Sequence, residues 1–498
     1  MRELDELTSW YADWRGLRVA VLGLGVTGFA AADTLVELGA SVLVVSEGAD
    51  HERVDLLGVI GSTLATPRDA GAVPDELIAH DPELMIVSPG YRPDHRLLGW
   101  AAEKAITVWG DIELAWRLRD KTPAPGTFEP AEWIIVTGTN GKTTTAQLAT
   151  HLLVQAGIAA IAVGNIGVPA LDAIRDPTGF AVLVVELSSF QLHWLPTNGP
   201  GALHPLASVC LNIADDHLDW HGSREAYASA KARVYSNTRI ACIYNRADLA
   251  TQRMVEDAEV QDGCRAIGFG LDSPGPSDLG LVGDIIVDRA FLEDRHRSAV
   301  ELTTHGELEE AGLGAPHSVA NVLAAAALVR AYGLEPDDVR RGLASFRLDH
   351  HRTEVIADSA GIIWVDDSKA TNSHAAAAAL GAYDSVVWVV GGLLKGTDIG
   401  SLIESNVRRI AAAIVIGSNR QLVVEAFARH APSVPVFEVT SIETDHVMPE
   451  AVRLAASVAR VGDVVVLAPA AASMDQFADY ADRGRRFAEA VRHHTSAI

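Results

Sequence analysis

The run Val136-Thr-Gly-Thr-Asn-Gly-Lys-Thr-Thr-Thr145 gathers two glycines, a lysine and a block of hydroxyls. The apolar stretch Trp133–Val136 precedes it, and AQLATHLLVQAG follows with helical character. A strand, a glycine turn and a helix start in that order make a phosphate cradle. Glycines let backbone N–H groups face inward, and the helix N-terminus adds partial positive charge. Lys142 can reach outer phosphates, and Thr143 can ligate Mg²⁺. The usual pattern holds four residues between the first glycine and Gly-Lys; Gly138 and Gly141 enclose two. The loop is therefore a shortened variant. A plain glycine turn with a surface lysine is the competing reading, and the flanking strand, helix and threonines weigh against it.

A second turn, Gly23-Leu-Gly25-Val-Thr-Gly28, has dinucleotide spacing, and Glu47 falls at the end of the next strand where a ribose-binding acid would sit. The same turn serves any diphosphate at a helix N-terminus, or simply packs a helix on a strand, so NAD and a diphosphate ligand both stay open. Two such turns suggest two nucleotides, one of them a substrate.

Glu186 closes the strand AVLVVE, at the carboxyl edge where a metal ion beside a phosphate loop needs oxygen ligands. Helix capping is the equal alternative. Asp215, Asp216 and His217 follow another strand, SVCLNIADDH. Mg²⁺ rarely takes imidazole, so His217 is an unusual ligand or a positioning group. Lys231, in REAYASAKARVY, reads from its spacing as part of a solvated helix face.

These residues need strands and helices to carry them. Strand–helix alternation runs through LRVAVLGLG, SVLVVSE, LMIVSPG and ITVWGD, then IAAIAVGN, AVLVVELSS and IACIYN, then GIIWVDDS, SVVWVVGG, AAIVIGS and DVVVLAP. That pattern predicts α/β architecture with mainly parallel sheets and flanking helices. The Pro-rich stretch 119–131 reads as a linker, 268–283 as loop, and HSVANVLAAAALVRAYG as a buried helix. At 498 residues the chain suggests three domains, taken as 1–120, 121–348 and 349–498.

Lys plus Arg number 40 against 65 Asp plus Glu, a formal net charge of −25. Such a field repels nucleic acid and anionic membrane, so an anionic ligand must be held by local donors. The three cysteines, Cys210, Cys242 and Cys264, are not spaced as a metal clip or redox pair and fit a reducing cytoplasm. The opening MRELDELTSWYADW is acidic and polar, unlike a secretory signal, and no apolar run reaches membrane-span length.

The segments GTNGKTTT, VGNIGVPAL, VVELSSFQL, NIADDHLDWHG, YASAKARVY, HSVANVLAA, VDDSKATN, GGLLKGTD and LAPAAASMDQF occur in that order over nearly the whole chain. Together they resemble the Mur ligases, and ELSSFQL and DDSKATN are similar to the D-glutamate-adding members. GTNGK is shared by all Mur ligases and by folylpolyglutamate synthetases, so the alternative activity is that of a sibling ligase, adding L-alanine to the sugar nucleotide or glutamate to folate. The resemblance implies a Rossmann-like N-terminal domain for a uridine diphosphate sugar, a P-loop ATPase-like central domain and a Rossmann-like C-terminal domain. It implies ATP-dependent amide synthesis through an acyl phosphate, joining D-glutamate to UDP-N-acetylmuramoyl-L-alanine in a cytoplasmic monomer.

By the same resemblance, Gly138, Thr139, Asn140, Gly141, Lys142, Thr143 and Thr144 bind ATP with Asn321, Arg352, Asp367 and Lys369. Thr143, Glu186, His217 and a carbamylated Lys231 hold Mg²⁺, two ions in all; Lys142, Lys231, His217 and Glu186 act in catalysis. Val26, Thr27, Ser88, Asn165 and Ser188 fall on the sugar-nucleotide side; Thr371, Lys395, Ser473 and Tyr480 fall in the D-glutamate pocket. The chain departs from the family at Ser46-Glu47-Gly48, where a uracil contact is usual, at Ser318, where an asparagine is usual, and at Ala468–Ser473, which keeps only the final serine of a Ser/Cys run.

Overall fold

The computed structural model describes residues 3–48, 51–69, 72–347, 351, 353–394 and 399–496. Its strands form three sheets flanked by helices.

The first sheet contains β1 (Arg18–Leu22), β2 (Ser41–Val45), β3 (Thr63–Ala65), β4 (Leu84–Val87) and β5 (Thr107–Gly110). All pairs are parallel, in the order β3-β2-β1-β4-β5. Val19–Leu22 and Leu84–Val87 are wholly buried, as strands covered on both faces must be. The order reverses at β1, so a crevice opens at the carboxyl ends of β1 and β4. The glycine turn Gly23–Gly28 lies there and leads into the helix Val26–Glu37. The second strand ends at Val45, two residues short of Glu47.

The second sheet comprises β6 (Glu132–Thr137), β7 (Ala160–Gly164), β8 (Val182–Glu186), β9 (Ala207–Cys210), β10 (Ala241–Asn245), β11 (Arg265–Phe269), β12 (Asp278–Val282), β13 (Ile285–Asp288) and β14 (Val300–Thr304). Their order is β14-β13-β12-β11-β10-β9-β6-β8-β7. The strands from β7 to β12 in that order run parallel; β13 and β14 join antiparallel. Again the order reverses, here at β6, which feeds the phosphate loop. The helix Pro316–Tyr332 starts on proline, ends at Gly333 and packs along the phosphate-loop helix Lys142–Gln155.

The region 268–283 is not simply loop. Phe269 ends β11, and Asp278–Val282 forms β12. Only two residue pairs join those strands, but β12 then turns through Gly283-Asp284 into a hairpin with β13. Gly283 takes φ +65°, as a two-residue hairpin turn requires. Leu279, Ile286 and Val287 are buried, and this apolar burial outweighs the glycines and prolines around it. Residues 119–131 stay irregular apart from a single bridge between Pro123 and Pro130.

The third sheet holds β15 (Glu354–Ser359), β16 (Ile362–Asp366), β17 (Val386–Gly391), β18 (Ile410–Ile416), β19 (Val436–Glu438) and β20 (Val464–Leu467). The order is β15-β16-β20-β17-β18-β19, parallel except for β15 against β16. The first two sheets belong to one compact unit, Met1–Phe346, and the third to another, Arg347–Ile498. Within the first unit Arg175 ties the two sheets' layers together, its guanidinium 2.7 Å from Asp33 and 2.7 Å from Glu37. Among the described residues no helix is long and apolar enough to cross a membrane.

A buried cation organises the second unit. Arg483 is 0% exposed, on the helix Tyr480–Thr495. It donates to Ser368 Oγ (2.9 Å), the Ser368 carbonyl (2.8 Å) and the Ala471 carbonyl (3.1 Å). Those bonds pin the helix to the turn after β16 and the loop after β20. Arg483→Ala strands three acceptors, so it lowers the unit's unfolding free energy by about 3 kcal/mol or more. Arg483→Lys recovers only part, because an ammonium lacks the planar fork. Urea unfolding followed by tryptophan fluorescence reads both effects; equal midpoints for wild type and Arg483→Ala would refute the assignment.

Candidate active site

The phosphate loop follows β6 with no spare residue. Gly138 takes φ +151° and Gly141 φ +82°, conformations that side chains rarely adopt. Gly141 also lacks room: a Cβ there would run into the Asn321 side-chain oxygen. Helix Lys142–Gln155 begins on the next residue, so its first N–H groups surround the loop. Thr144 is buried within its first turn and Thr143 half-buried. The outer wall is the segment after β9. Thr139 N donates to the Asn212 carbonyl (2.9 Å), Asn140 N to Asn212 Oδ1 (2.8 Å) and Ala214 N to Thr139 Oγ1 (2.9 Å).

Two lysines converge on this loop. Lys142 Nζ donates to the carbonyls of Gly138 (2.9 Å) and Thr139 (2.8 Å). Lys231 Nζ donates to the same Gly138 carbonyl (2.8 Å) and to Thr137 Oγ1 (3.2 Å). Lys231 is 2% exposed, on the helix Arg224–Ala232. The solvated-face reading of this residue is thereby corrected: Tyr227, one turn earlier, puts the same helix face into the core. Burial, then repulsion by Lys142, pulls the Lys231 ammonium down to about 7, against the pull of Cys210, Asp216 and Glu186. The Tyr227 hydroxyl completes the wall at 2.9 Å from Thr139 Oγ1.

Glu186 ends β8 and is 1% exposed. Asn165 Nδ2 donates to its Oε1 (2.9 Å), while its Oε2 is buried with no hydrogen-bond partner. An orphaned carboxylate oxygen is costly to bury and calls for a cation. The capping role belongs to Ser188, which caps the next helix with Gln191. His217 sits in a left-handed turn (φ +52°), its ring against Phe190 and its Nε2 3.5 Å from Asp216. Burial lowers its pKa, with Asp216 opposing and Lys142 and Lys231 adding to the shift, so the neutral, ligating form is favoured. Asp215 instead pairs with Arg224 at 3.3 Å. Glu186, Lys231, Thr143 and His217 thus come from four segments around one loop. Of these, the orphan Glu186 Oε2 and the Thr143 hydroxyl are the oxygen donors that suit Mg²⁺.

The first sheet's crevice carries the other turn. Val26 and Thr27 open the helix Val26–Glu37, and Val26 is exposed. Ser88 follows β4, and its buried hydroxyl has no partner. That hydroxyl faces the turn closely enough that a Cβ on Gly23 would lie 2.9 Å from it. Glu47 points toward His95, 3.6 Å from its Nε2. No lysine or arginine stands within this turn.

In the second unit Lys369 Nζ lies 3.7 Å over the Tyr480 ring, a cation–π contact. Thr353 N donates to Asp367 Oδ1 (3.3 Å), and Lys369 N to the His351 carbonyl (3.2 Å). Thr371 is exposed just beyond, and Ser473 is buried in the loop after β20. Arg352 and Lys395 lie outside the described residues. Sequence reasoning gave no role to Asn212, Tyr227 or Thr137. Tyr227 alone had a signal: it precedes Lys231 by one helical turn.

A family model described as Mur ligase middle domain matches residues 136–329, and one described as Mur ligase, glutamate ligase domain matches 351–471. A protein of Leifsonia xyli subsp. xyli named UDP-N-acetylmuramoylalanine–D-glutamate ligase is 64% identical over 99% of this chain and 95% of its own length. Its namesake from Streptomyces avermitilis is 49% identical over 96% of this chain and 99% of its own. Among solved structures, UDP-N-acetylmuramate–alanine ligase MurC of Thermotoga maritima superposes with TM-score 0.54 at 18% identity, covering 96% of this chain and 99% of that one. MurF ligase of the same organism, solved with ADP, gives TM-score 0.53 at 18% identity over 100% of both chains. The two solved ligases share this chain's α/β fold; the match to the Leifsonia protein along nearly the full length decides kinship, and the chain belongs to the Mur ligase family.

Proposed function

We propose that this chain is an ATP-dependent ligase that joins D-glutamate to UDP-N-acetylmuramoyl-L-alanine, releasing ADP and phosphate. The 64% identity to a ligase of that name over nearly both full chains carries the proposal. The loop chemistry supports it. A carboxylate is a poor electrophile, so it is first phosphorylated by ATP; the amine of D-glutamate then displaces phosphate from the acyl phosphate.

In this reading Gly138–Thr144 wraps the ATP phosphates, and Lys142 leaves its backbone carbonyls for the β- and γ-phosphates. Asn321, beside Gly141, meets adenine; Arg352, Asp367 and Lys369 meet ribose and phosphates. Val26, Thr27, Ser88, Asn165 and Ser188 serve the sugar nucleotide, and Thr371, Lys395, Ser473 and Tyr480 the D-glutamate. Thr143, Glu186, His217 and carbamylated Lys231 would hold two Mg²⁺ ions, which when bound neutralise charge on the transferring phosphoryl group. Lys231 suits carbamylation because burial favours its neutral amine: that nitrogen adds to CO₂, loses a proton and becomes an anion. The change replaces repulsion toward Lys142 with attraction. ATP and a uridine diphosphate sugar are soluble nucleotides, which assigns the activity to the cytoplasm.

The deciding assay mixes the chain with ATP, Mg²⁺ and UDP-N-acetylmuramoyl-L-alanine and follows phosphate release. D-Glutamate is expected to start turnover, and L-glutamate or a folate acceptor is not. Turnover with those acceptors in place of D-glutamate would overturn the reading. Lys142→Ala is expected to lower kcat by about 10²-fold or more, the scale of losing a donor aimed at developing charge. Affinity for the sugar nucleotide, measured by calorimetry, should stay unchanged.

Lys231→Met removes a buried amine, so it should abolish turnover while stabilising the ligand-free chain at neutral pH. The depressed amine means the unfolded chain binds the extra proton between about pH 7 and the solvated-lysine value of about 10.4. Wild-type stability relative to Lys231→Met therefore falls as pH drops through that window and levels off below it. Denaturation at several pH values checks this; a pH-independent difference would exclude a depressed amine.

A further inference from the structure

The three cysteines look scattered in sequence, but the fold brings two of them together. Cys242 is the second residue of β10, and Cys264 immediately precedes β11. These strands pair in parallel, with Ala241 opposite Arg265 and Cys242 opposite Ala266. The thiols lie 3.8 Å apart. Cys242 is 2% exposed, whereas Cys264 is only half-buried at the rim of the core. Cys210, on β9, is 0% exposed.

We infer that Cys242 and Cys264 form a thiol-oxidation site for hydroperoxides, in which Cys264 is attacked first and Cys242 resolves it to an intramolecular disulfide. The geometry divides the roles. Cys264 is the less buried of the two and so the one an oxidant meets first, and the buried Cys242 thiol is already in contact with it. Cys242 stands opposite Ala266, so the two cysteines are diagonal neighbours, and their thiols must close from 3.8 Å to a disulfide's S–S separation of about 2 Å. Electrostatics agrees. The hydrogen bond from the Cys242 thiol lowers the Cys264 pKa; burial opposes this, and the N–H groups of Cys242 and Arg265 reinforce it. Donating that bond, together with burial, raises the Cys242 pKa. A low-pKa, accessible thiolate beside a resolving thiol is the arrangement that oxidises selectively.

The steps balance. The Cys264 thiolate attacks one peroxide oxygen; the O–O bond breaks, giving a sulfenic acid and hydroxide. The Cys242 sulfur then attacks the sulfenic sulfur, its proton leaves with the departing hydroxyl as water, and the S–S bond forms. Overall two thiols lose two electrons and two protons, and hydrogen peroxide is reduced to two waters. A dithiol reverses the reaction by exchange. The pair sits at the amino ends of β10 and β11, whereas the phosphate loop leaves the carboxyl end of β6, which is parallel to β10 and separated from it by β9. Substituting either cysteine therefore leaves the phosphate loop's own contacts in place.

The test treats the folded full chain with hydrogen peroxide, then denatures it and alkylates it with N-ethylmaleimide for mass analysis. Reduced chain should take three alkyl groups, one per cysteine. Oxidised chain should take one, at Cys210, and yield a peptide cross-linked between Cys242 and Cys264; dithiothreitol should restore three. Cys264→Ser should lose both the cross-link and the rapid peroxide consumption. Cys242→Ser should stop at a sulfenic acid that dimedone traps on Cys264. Three alkylated cysteines after oxidation, a cross-link through Cys210 or to a second chain, or a Cys264→Ser chain that consumes peroxide as fast as wild type would each overturn the proposal. The Cys264→Ser arm does not depend on altering the buried position, so it remains decisive if Cys242→Ser fails to fold.

Discussion

One carbonyl oxygen receives two ammonium groups. Gly138 O accepts from Lys142 at 2.9 Å and from Lys231 at 2.8 Å, in a pocket where Lys231 is almost wholly buried. Two cations sharing one neutral acceptor in a low dielectric repel each other strongly. Relief comes from losing a proton at Lys231, from moving Lys142 onto an anion, or from turning one amine into an anion. The second brings negative charge to the loop and the third creates it there, whereas the first only removes positive charge. The shared acceptor belongs to a glycine whose φ of +151° side chains rarely adopt.

The two glycine turns show what this arrangement adds. Both follow a central strand at a point where strand order reverses, and both open a helix. The turn after β1 offers backbone N–H groups and the partnerless Ser88 hydroxyl, with no cation of its own. The loop after β6 adds Lys142, a buried second lysine and the orphaned oxygen of Glu186. Charge can be rearranged there, as phosphoryl transfer demands. The same local chain geometry thus recurs in two sheets, and the difference lies in side chains from the loop itself, from β8 and from the helix Arg224–Ala232.

The phosphate loop was legible because its evidence is contiguous: strand, glycines, lysine and helix lie within one stretch. The place of Glu186 at a buried strand end was legible from the apolar run before it, though not that Ser188 rather than Glu186 caps the next helix. Lys231 was not, since a lysine on an amphipathic helix looks the same whether it meets water or a pocket. Only the neighbouring loop decides, and it comes from residues almost a hundred positions away. Cys242 and Cys264 fail for the same reason: strand register joins them, and register is absent from a list of cysteine spacings. The strand Asp278–Val282 was hidden differently, by glycines and prolines that normally mark loops but here bound a hairpin. Asn212 carried no signal at all, because its role is to accept and donate across to Asn140, a partner that only the folded chain supplies.

Two buried cations put these ideas in contrast. Arg483 is fully buried, and burial lowers its pKa to about 10, so it keeps its charge at neutral pH. Its fork is matched by three neutral acceptors, which spread the charge over fixed dipoles. Nothing about that site asks for a ligand, and the residue acts as a brace. Lys231 is buried to nearly the same degree but has two acceptors, one of them shared with a second cation, and falls to about 7. Burial by itself therefore does not mark function. What marks it is a buried charge whose surroundings leave it unsettled, because such a group changes state when an anion, a proton or CO₂ arrives, and a settled one does not.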